Sequence, residues 1–142
     1  MKSEICIFIL LLMGILLFSC EERDIDFESE YERSHKVWLT FKESSGNTPL
    51  REVLIKGDEL YVTITASGCD GSRWDTRLID SGKLAYSNPP QRYAKIEFVN
   101  NEICLAVISR TFVFDLKPLR AKETRKVCIN LEGWIQPLLY IY

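Results

Sequence analysis

Hydrophobic and polar residues alternate along most of the chain beyond residue 34, in short runs that predict β-strands. The clearest run is ELYVTITA at 59–66, which places Leu60, Val62 and Ile64 on one side and tyrosine and threonine on the other. Alternation with a period of two, rich in β-branched and aromatic residues, is typical of a strand with one buried face. Similar runs predict strands at 35–41, 93–99, 110–116 and 126–131, and two apolar runs predict strands at 103–108 and 135–142.

Turn signals separate these runs and favour a fold built from short strands. Asp80-Ser81-Gly82 and Asn100-Asn101 each join two strand-like runs, and both sequences predict tight hairpins. We find no sustained amphipathic helix beyond the first residues and no internal repeat. Short strands at this spacing predict an all-β domain at 35–142, either an antiparallel β-sandwich of the immunoglobulin-like kind or a small barrel.

The N-terminus carries a different pattern, an uncharged apolar run that extends from Ile5 to Phe18 behind the positive charge of Lys2. A helix needs about 20 apolar residues to cross a bilayer, which is more than this run provides. The apolar core of a signal peptide is about 7–15 residues long, and the run fits that length. We therefore predict that residues 1–19 form an export signal peptide.

The end of this segment, Leu17-Phe18-Ser19-Cys20, resembles the lipobox of bacterial lipoproteins, in which a small residue precedes an obligatory cysteine. The resemblance implies cleavage before Cys20 and a lipid on its thiol, and several acyl chains on one residue anchor a protein stably in a membrane. The alternative is an unmodified thiol behind an ordinary secretory signal.

The acidic pair Glu21-Glu22 directly follows the cysteine. An acidic segment in this place resembles the surface-export signal of Bacteroidota-type lipoproteins. The resemblance implies anchoring in the outer membrane with the domain exposed at the cell surface. A domain that faces the periplasm is the alternative.

Charge divides the rest of the chain into an acidic segment and a weakly basic domain. Residues 21–33 contain seven acidic residues and two arginines, so 20–34 is predicted to be a flexible tether that cannot fold alone. Residues 34–142 contain fifteen Lys and Arg against twelve Asp and Glu, which is a net charge of +3. This balance argues against a nucleic-acid partner, because such domains carry a strongly basic patch or stripe.

Three cysteines follow the tether: Cys69, Cys104 and Cys128. An odd number allows one disulfide at most within the domain. Cys104 and Cys128 lie in the middle of predicted strands, each out of phase with the apolar set, so that they could face each other and form a bridge in an oxidising compartment. The alternative is three separate thiols, with these two packed as small hydrophobic residues.

Catalytic and metal-binding chemistry finds little support in the sequence. His35, the only histidine, lies where the tether meets the first predicted strand, which is a poor place for a catalytic base. Zinc sites need clustered cysteines and histidines, whereas these cysteines are single and far apart. Asp70, Asp75 and Asp80 could offer oxygen ligands to calcium, with an ordinary polar turn as the alternative. We therefore expect a protein that is not an enzyme and holds no metal or cofactor.

Aromatic and basic residues are the remaining candidates for a binding site. Exposed tryptophan beside arginine is typical of protein hot spots and of platforms for sugars, although each tryptophan could instead belong to the core or its rim. A basic cluster around Pro118 could contact an anionic partner or form a solvated loop. The candidate ligand- or partner-binding residues are Trp38, Arg73, Trp74, Lys117, Arg120, Lys122, Arg125 and Trp134.

These features together predict a lipoprotein of the cell envelope, held to the membrane through Cys20, whose β domain recognises a protein or polysaccharide ligand without catalysis. The alternative is a small inhibitor or immunity protein that blocks a secreted protease or toxin. The two functions differ in their partner. An inhibitor should bind one protein through an interface of about 1,600 Å² in total, whereas a glycan module should bind weakly through one or two stacked aromatic rings.

Overall fold

The computed structural model describes residues 27–142, with side chains from Glu32 onward, and shows one helix followed by an all-β sandwich. The predicted signal peptide, Cys20 and the first part of the predicted tether lie outside the described residues. Helix α1 spans Phe27–Glu43. The strands are β1 Leu50–Lys56, β2 Glu59–Ser67, β3 Trp74–Ala85, β4 Gln91–Asn100, β5 Val107–Asp115, β6 Lys126–Leu131 and β7 Leu138–Ile141. A short 3-10 helix, Lys117–Leu119, lies between β5 and β6.

The strands form two sheets that pack against each other, which confirms the predicted sandwich; the sheets do not close into a barrel. One sheet has the order β1-β2-β5 and the other the order β3-β4-β6-β7. All neighbouring pairs are antiparallel except β4 and β6, which run parallel. The chain therefore changes sheet after β2, after β4 and after β5.

The core between the sheets comes from strands whose alternation is clear in the sequence. Leu60, Val62 and Ile64 of β2 are fully buried, and so are Val127 and Ile129 of β6. Burying one such side chain contributes about 1.5–3 kcal/mol to stability. All members of the core cluster lie between residues 50 and 142, including those packed at its margin. The sandwich therefore builds its core without α1.

The strand predicted at 35–41 is wrong, because these residues lie in α1, as do the last residues of the predicted tether. Val37 and Leu39, which an alternation would bury, are exposed, whereas Trp38 and Phe41 contact the four-stranded sheet. Their spacing follows the helical period of 3.6 residues. A run of seven residues fits either period, and only the preceding charged residues extend it to helical length. None of the described helices is long and apolar enough to cross a membrane.

The two turn signals that were expected to form tight hairpins do not form them. Asp80-Ser81-Gly82 forms a bulge within β3, where the register with β4 shifts after Asp80 and Gly82 has a φ of +70°. Glycine reaches this conformation without steric cost, in a bulge as well as in a turn. Asn100 ends β4, and the chain then crosses to the other sheet. The strand predicted at 103–108 therefore begins only at Val107.

Candidate functional site

The three tryptophans occupy different environments. Trp74 is only 6% exposed, and its ring meets that of Phe98 edge to face at a centroid distance of 5.2 Å. Trp134 is half-buried and packs at the margin of the core, beside Leu50. Trp38 on α1 is half-exposed and lines a groove. Of the three candidates, Trp74 is therefore a core residue, whereas Trp38 and Trp134 each line a concave surface.

The basic candidate residues lie in different environments and do not form one continuous surface. Lys117, Lys122 and Arg125 are exposed, as is Arg73 at the start of β3. Lys117 lines a concave surface together with three carboxylates and one other lysine, so its surroundings are of mixed charge. Arg120 is committed to an ion pair within the domain, at 2.6 Å from a carboxylate. These positions give little support to a continuous site for an anionic partner.

The ion pair of Arg120 belongs to a cluster that joins the two sheets. The buried Tyr140 of β7 donates a hydrogen bond to Oδ1 of Asp58, in the β1–β2 turn, at 2.6 Å. Arg120 donates to the Tyr140 hydroxyl at 3.0 Å and to the same carboxylate oxygen at 2.6 Å. The hydrogen bonds from Tyr140 and Arg120 lower the pKa of Asp58, and burial raises the pKa of Tyr140. The cluster thus links the two sheets.

Tyr140→Phe should lower the free energy of unfolding by about 1–2 kcal/mol, since it removes a hydroxyl shared by two partners. The folded-state pKa of Asp58 is lowered from 3.8, so its ionised form stabilises the fold above that value. This stabilisation is lost as the pH falls through the lower, folded-state pKa. The difference in urea midpoint between Tyr140→Phe and wild type should therefore shrink at acidic pH. Tyr86→Phe, at a fully exposed position, is the control; a difference independent of pH would contradict this account.

The disulfide joins Cys69 to Cys104, with the Cα atoms 4.9 Å apart, instead of Cys104 to Cys128. Because β5 begins at Val107, Cys104 lies in the crossover between the sheets, where it reaches the loop after β2. Cys128 lies on β6 in the other sheet and is a free, half-buried thiol. The predicted Cys104–Cys128 bridge is thus wrong because it depended on a strand that does not form.

A carboxylate braces the same loop beside the disulfide. Oε2 of Glu102 accepts hydrogen bonds from the backbone N–H groups of Cys69 and Gly71, at 2.6 and 3.0 Å. Oε1 accepts one from the N–H of Arg73 at 3.2 Å. Arg110 donates to the carbonyl oxygen of Gly71 from the opposite side. Bonds of this kind, in which one partner is charged, are stronger than neutral ones and hold the loop and the crossover together.

The crossover presents an apolar ridge, which we define as Ile103, Leu105 and Val107, with exposed fractions of 95%, 89% and 75%. The residues between them attach the segment to the domain: Cys104 through the disulfide, and Ala106 through its carbonyl oxygen, which accepts from a backbone N–H at 2.8 Å. The strand predicted at 103–108 forms only from Val107 onward. Its outward-facing residues are apolar, so hydropathy alone could not reveal that they are exposed.

A helix–sheet groove of about 630 Å³ is lined by residues of α1 and of the four-stranded sheet. Its walls include Trp38 and Phe41 of α1, Lys83 and Ala85 of β3, Tyr93 of β4 and Leu131 of β6. The Lys83 ammonium lies 3.6 Å from the centroid of the Trp38 ring, and the rings of Trp38 and Phe41 stack at 5.7 Å. The groove is thus mainly apolar, and its charged lining residues are Lys83 and Glu132.

A buried lysine holds the C-terminal end of α1 against the four-stranded sheet. Lys95 is 4% exposed, and its ammonium donates to the carbonyl oxygen of Ser44 at 2.7 Å, just beyond the end of α1. The same group lies 4.5 Å from the centroid of the Phe41 ring and 3.7 Å from Oε2 of Glu132. A cation is favourable at a helix C-terminus because it interacts with the helix dipole. Lys95 therefore positions the helical wall of the groove.

The acidic residues considered for calcium have separate partners. Asp70 accepts a hydrogen bond from the backbone N–H of Ser72 at 2.8 Å, and Asp80 forms an ion pair with Arg92 at 2.9 Å. Within residues 27–142 as described, no group of three or more His, Cys, Asp or Glu residues is placed to hold a metal ion. Comparison of the chain with protein-family models, with curated proteins and with solved structures gave no significant match.

Proposed function

We propose that the chain is a lipoprotein of the cell envelope whose β domain binds a protein, without catalysis, through the apolar ridge. The exposure of the ridge is the observation that carries this proposal: three neighbouring apolar side chains are at least three-quarters exposed. Exposed apolar side chains that are grouped, here three within five residues of one segment, are typical of interaction sites in soluble domains. The disulfide and Glu102 fix the segment before any partner binds, which reduces the ordering cost of association.

The chemistry of the ridge favours a protein over a glycan. Sugar platforms use exposed aromatic rings, whereas Ile103, Leu105 and Val107 are aliphatic. The ridge also continues into β5, which lies at the edge of its sheet. An edge strand can pair with a partner strand through backbone hydrogen bonds, while alternate side chains enter pockets of that partner. The spacing of the ridge residues at every second position fits this mode of binding.

The location in the envelope rests on the sequence. The uncharged run, the small residue before Cys20 and the acidic segment after it support a lipid anchor in the outer membrane, with the domain at the cell surface. The Cys69–Cys104 disulfide agrees with a compartment outside the cytoplasm, since disulfides persist in oxidising environments.

Leu105→Asp should abolish binding of the partner, because it places a charge at the centre of an apolar interface. The bait is the chain from residue 20 onward carrying Cys20→Ser, with envelope extract and culture supernatant as sources and mass spectrometry as readout. Ile135→Asp is the matched control, since Ile135 is 98% exposed in a loop outside the ridge. A stoichiometric partner should be lost with Leu105→Asp and kept with Ile135→Asp. Equal capture by both variants, or retention on polysaccharide columns alone, would refute the proposal.

The braced ridge also favours the second candidate, an inhibitor of a secreted protease. A loop fixed in advance can occupy the substrate cleft of a protease, and Leu105 would suit an apolar specificity pocket. The same bait distinguishes this candidate from a general binding domain. An inhibitor of this kind should block chymotrypsin and spare trypsin, and Leu105→Arg should reverse that preference. If the bait captures a partner but inhibits neither protease, the proposal of a protein-binding domain stands and this kind of protease inhibitor is excluded.

A further inference from the structure

The helix–sheet groove is separate from the ridge and has the character of a small-molecule site. Sites for small ligands are concave, mainly apolar and about 300–1,000 Å³ in volume, with a few polar groups that orient the ligand. The groove measures about 630 Å³ and is lined by the rings of Trp38, Phe41 and Tyr93. A groove of this volume accommodates one small, mainly apolar ligand.

The charges at the groove distinguish between possible ligands. Glu132 is engaged by the ammonium of the buried Lys95 at 3.7 Å. Among the described residues, no carboxylate lies within ion-pair distance of Lys83, whose ammonium faces the Trp38 ring. An ammonium has three donors, and a contact with a ring face leaves donors for an anion. The cation that is available at the groove is therefore Lys83.

We propose that the helix–sheet groove binds a free long-chain fatty acid, with the acyl chain against the aromatic wall and the carboxylate on the Lys83 ammonium. This site is independent of the protein-binding function proposed for the ridge. A free acid is favoured over a membrane phospholipid because the groove has the volume of a site for one small ligand and a phospholipid carries two acyl chains. Burial of the acyl chain contributes a binding free energy of about 25 cal/mol per Å² of apolar surface removed from water. The carboxylate forms a charge-assisted hydrogen bond with the Lys83 ammonium.

The test compares two probes of equal chain length, dodecanoate and dodecanol, below their aggregation limits. Isothermal titration with the Cys20→Ser chain from residue 20 should show dodecanoate binding at least tenfold more tightly than dodecanol. Lys83→Met keeps an apolar side chain of similar length and should remove that difference. Lys117→Met, which neutralises an exposed lysine outside the groove, should preserve it. Phospholipid vesicles without fatty acid should bind wild type and Lys83→Met equally.

Three further variants locate the ligand without depending on charge. Ala85 is exposed at the wall of the groove, so Ala85→Trp should fill the groove and abolish binding of both probes while the fold persists. The change in tryptophan emission on addition of dodecanoate should disappear in Trp38→Phe and persist in Trp134→Phe. Equal affinities for the two probes, unchanged binding by Ala85→Trp, or vesicle binding that depends on Lys83 would each overturn the proposal.

Discussion

Trp74→Ala is expected to lower the free energy of unfolding by about 3–5 kcal/mol, the range for removal of a large buried aromatic side chain. Trp74 is 6% exposed and packs edge to face on Phe98. Its indole also underlies the loop after β2, where a Cβ atom on Gly68 would approach it to 3.0 Å. The substitution therefore removes the packing of β3 and leaves a cavity beneath the disulfide-bonded loop.

Urea denaturation of matched tryptophan variants would measure this effect. Trp38→Ala should change stability by much less, because Trp38 lies on α1 outside the core cluster. Trp74→Phe should recover most of the stability, since the Nε1–H of Trp74 is buried without an acceptor among the described residues and its loss costs little. If Trp74→Ala stayed within about 0.5 kcal/mol of wild type, as exposed positions do, the core assignment would be wrong.

The sequence context of Trp74 explains why its burial could not be predicted. It follows Gly71-Ser72-Arg73 and precedes Asp75, so its neighbours in the chain are polar. Burial here depends on residues distant in sequence, namely Phe98 and the crossover held by Glu102. By contrast, β2 follows local alternation, which correctly predicts that Leu60, Val62 and Ile64 face inward. Local pattern thus identified strands that are buried on one face, and it failed where contacts between distant segments decide exposure.

The same limit applies to the site. Trp38 was identified as a candidate, but as an outward-facing residue of a strand, whereas the helical period places it against the sheet. Lys83 of β3 lines the groove and Lys95 of β4 holds the end of α1, and nothing in their local sequence distinguishes them from solvated lysines. The bulge at Gly82 contributes here as well, because the β3 residues that follow it form one wall. The groove therefore depends on how distant segments of the chain pack together, and the alternation of polar and apolar residues alone does not determine that packing.

Removal of the disulfide by Cys69→Ser with Cys104→Ser is the second large effect, expected to lower the free energy of unfolding by about 3–4 kcal/mol. The bridged residues are 35 apart in sequence, and a cross-link over a loop of that length removes a corresponding amount of entropy from the unfolded chain. Cys128→Ser is the control, because Cys128 is a free thiol on β6 and its replacement should have a small effect.

The double variant also separates stability from binding at the ridge. Glu102 still binds the backbone N–H groups of residues 69, 71 and 73 when the disulfide is absent, so the loop after β2 should remain folded under native conditions. The ridge itself loses its covalent attachment at Cys104 and must be ordered when the partner binds. We expect weaker partner capture at a temperature where circular dichroism shows the fold intact. Capture equal to that of wild type would show that binding at the ridge does not depend on the Cys69–Cys104 disulfide. If the double variant is unfolded, the comparison is made at a lower temperature.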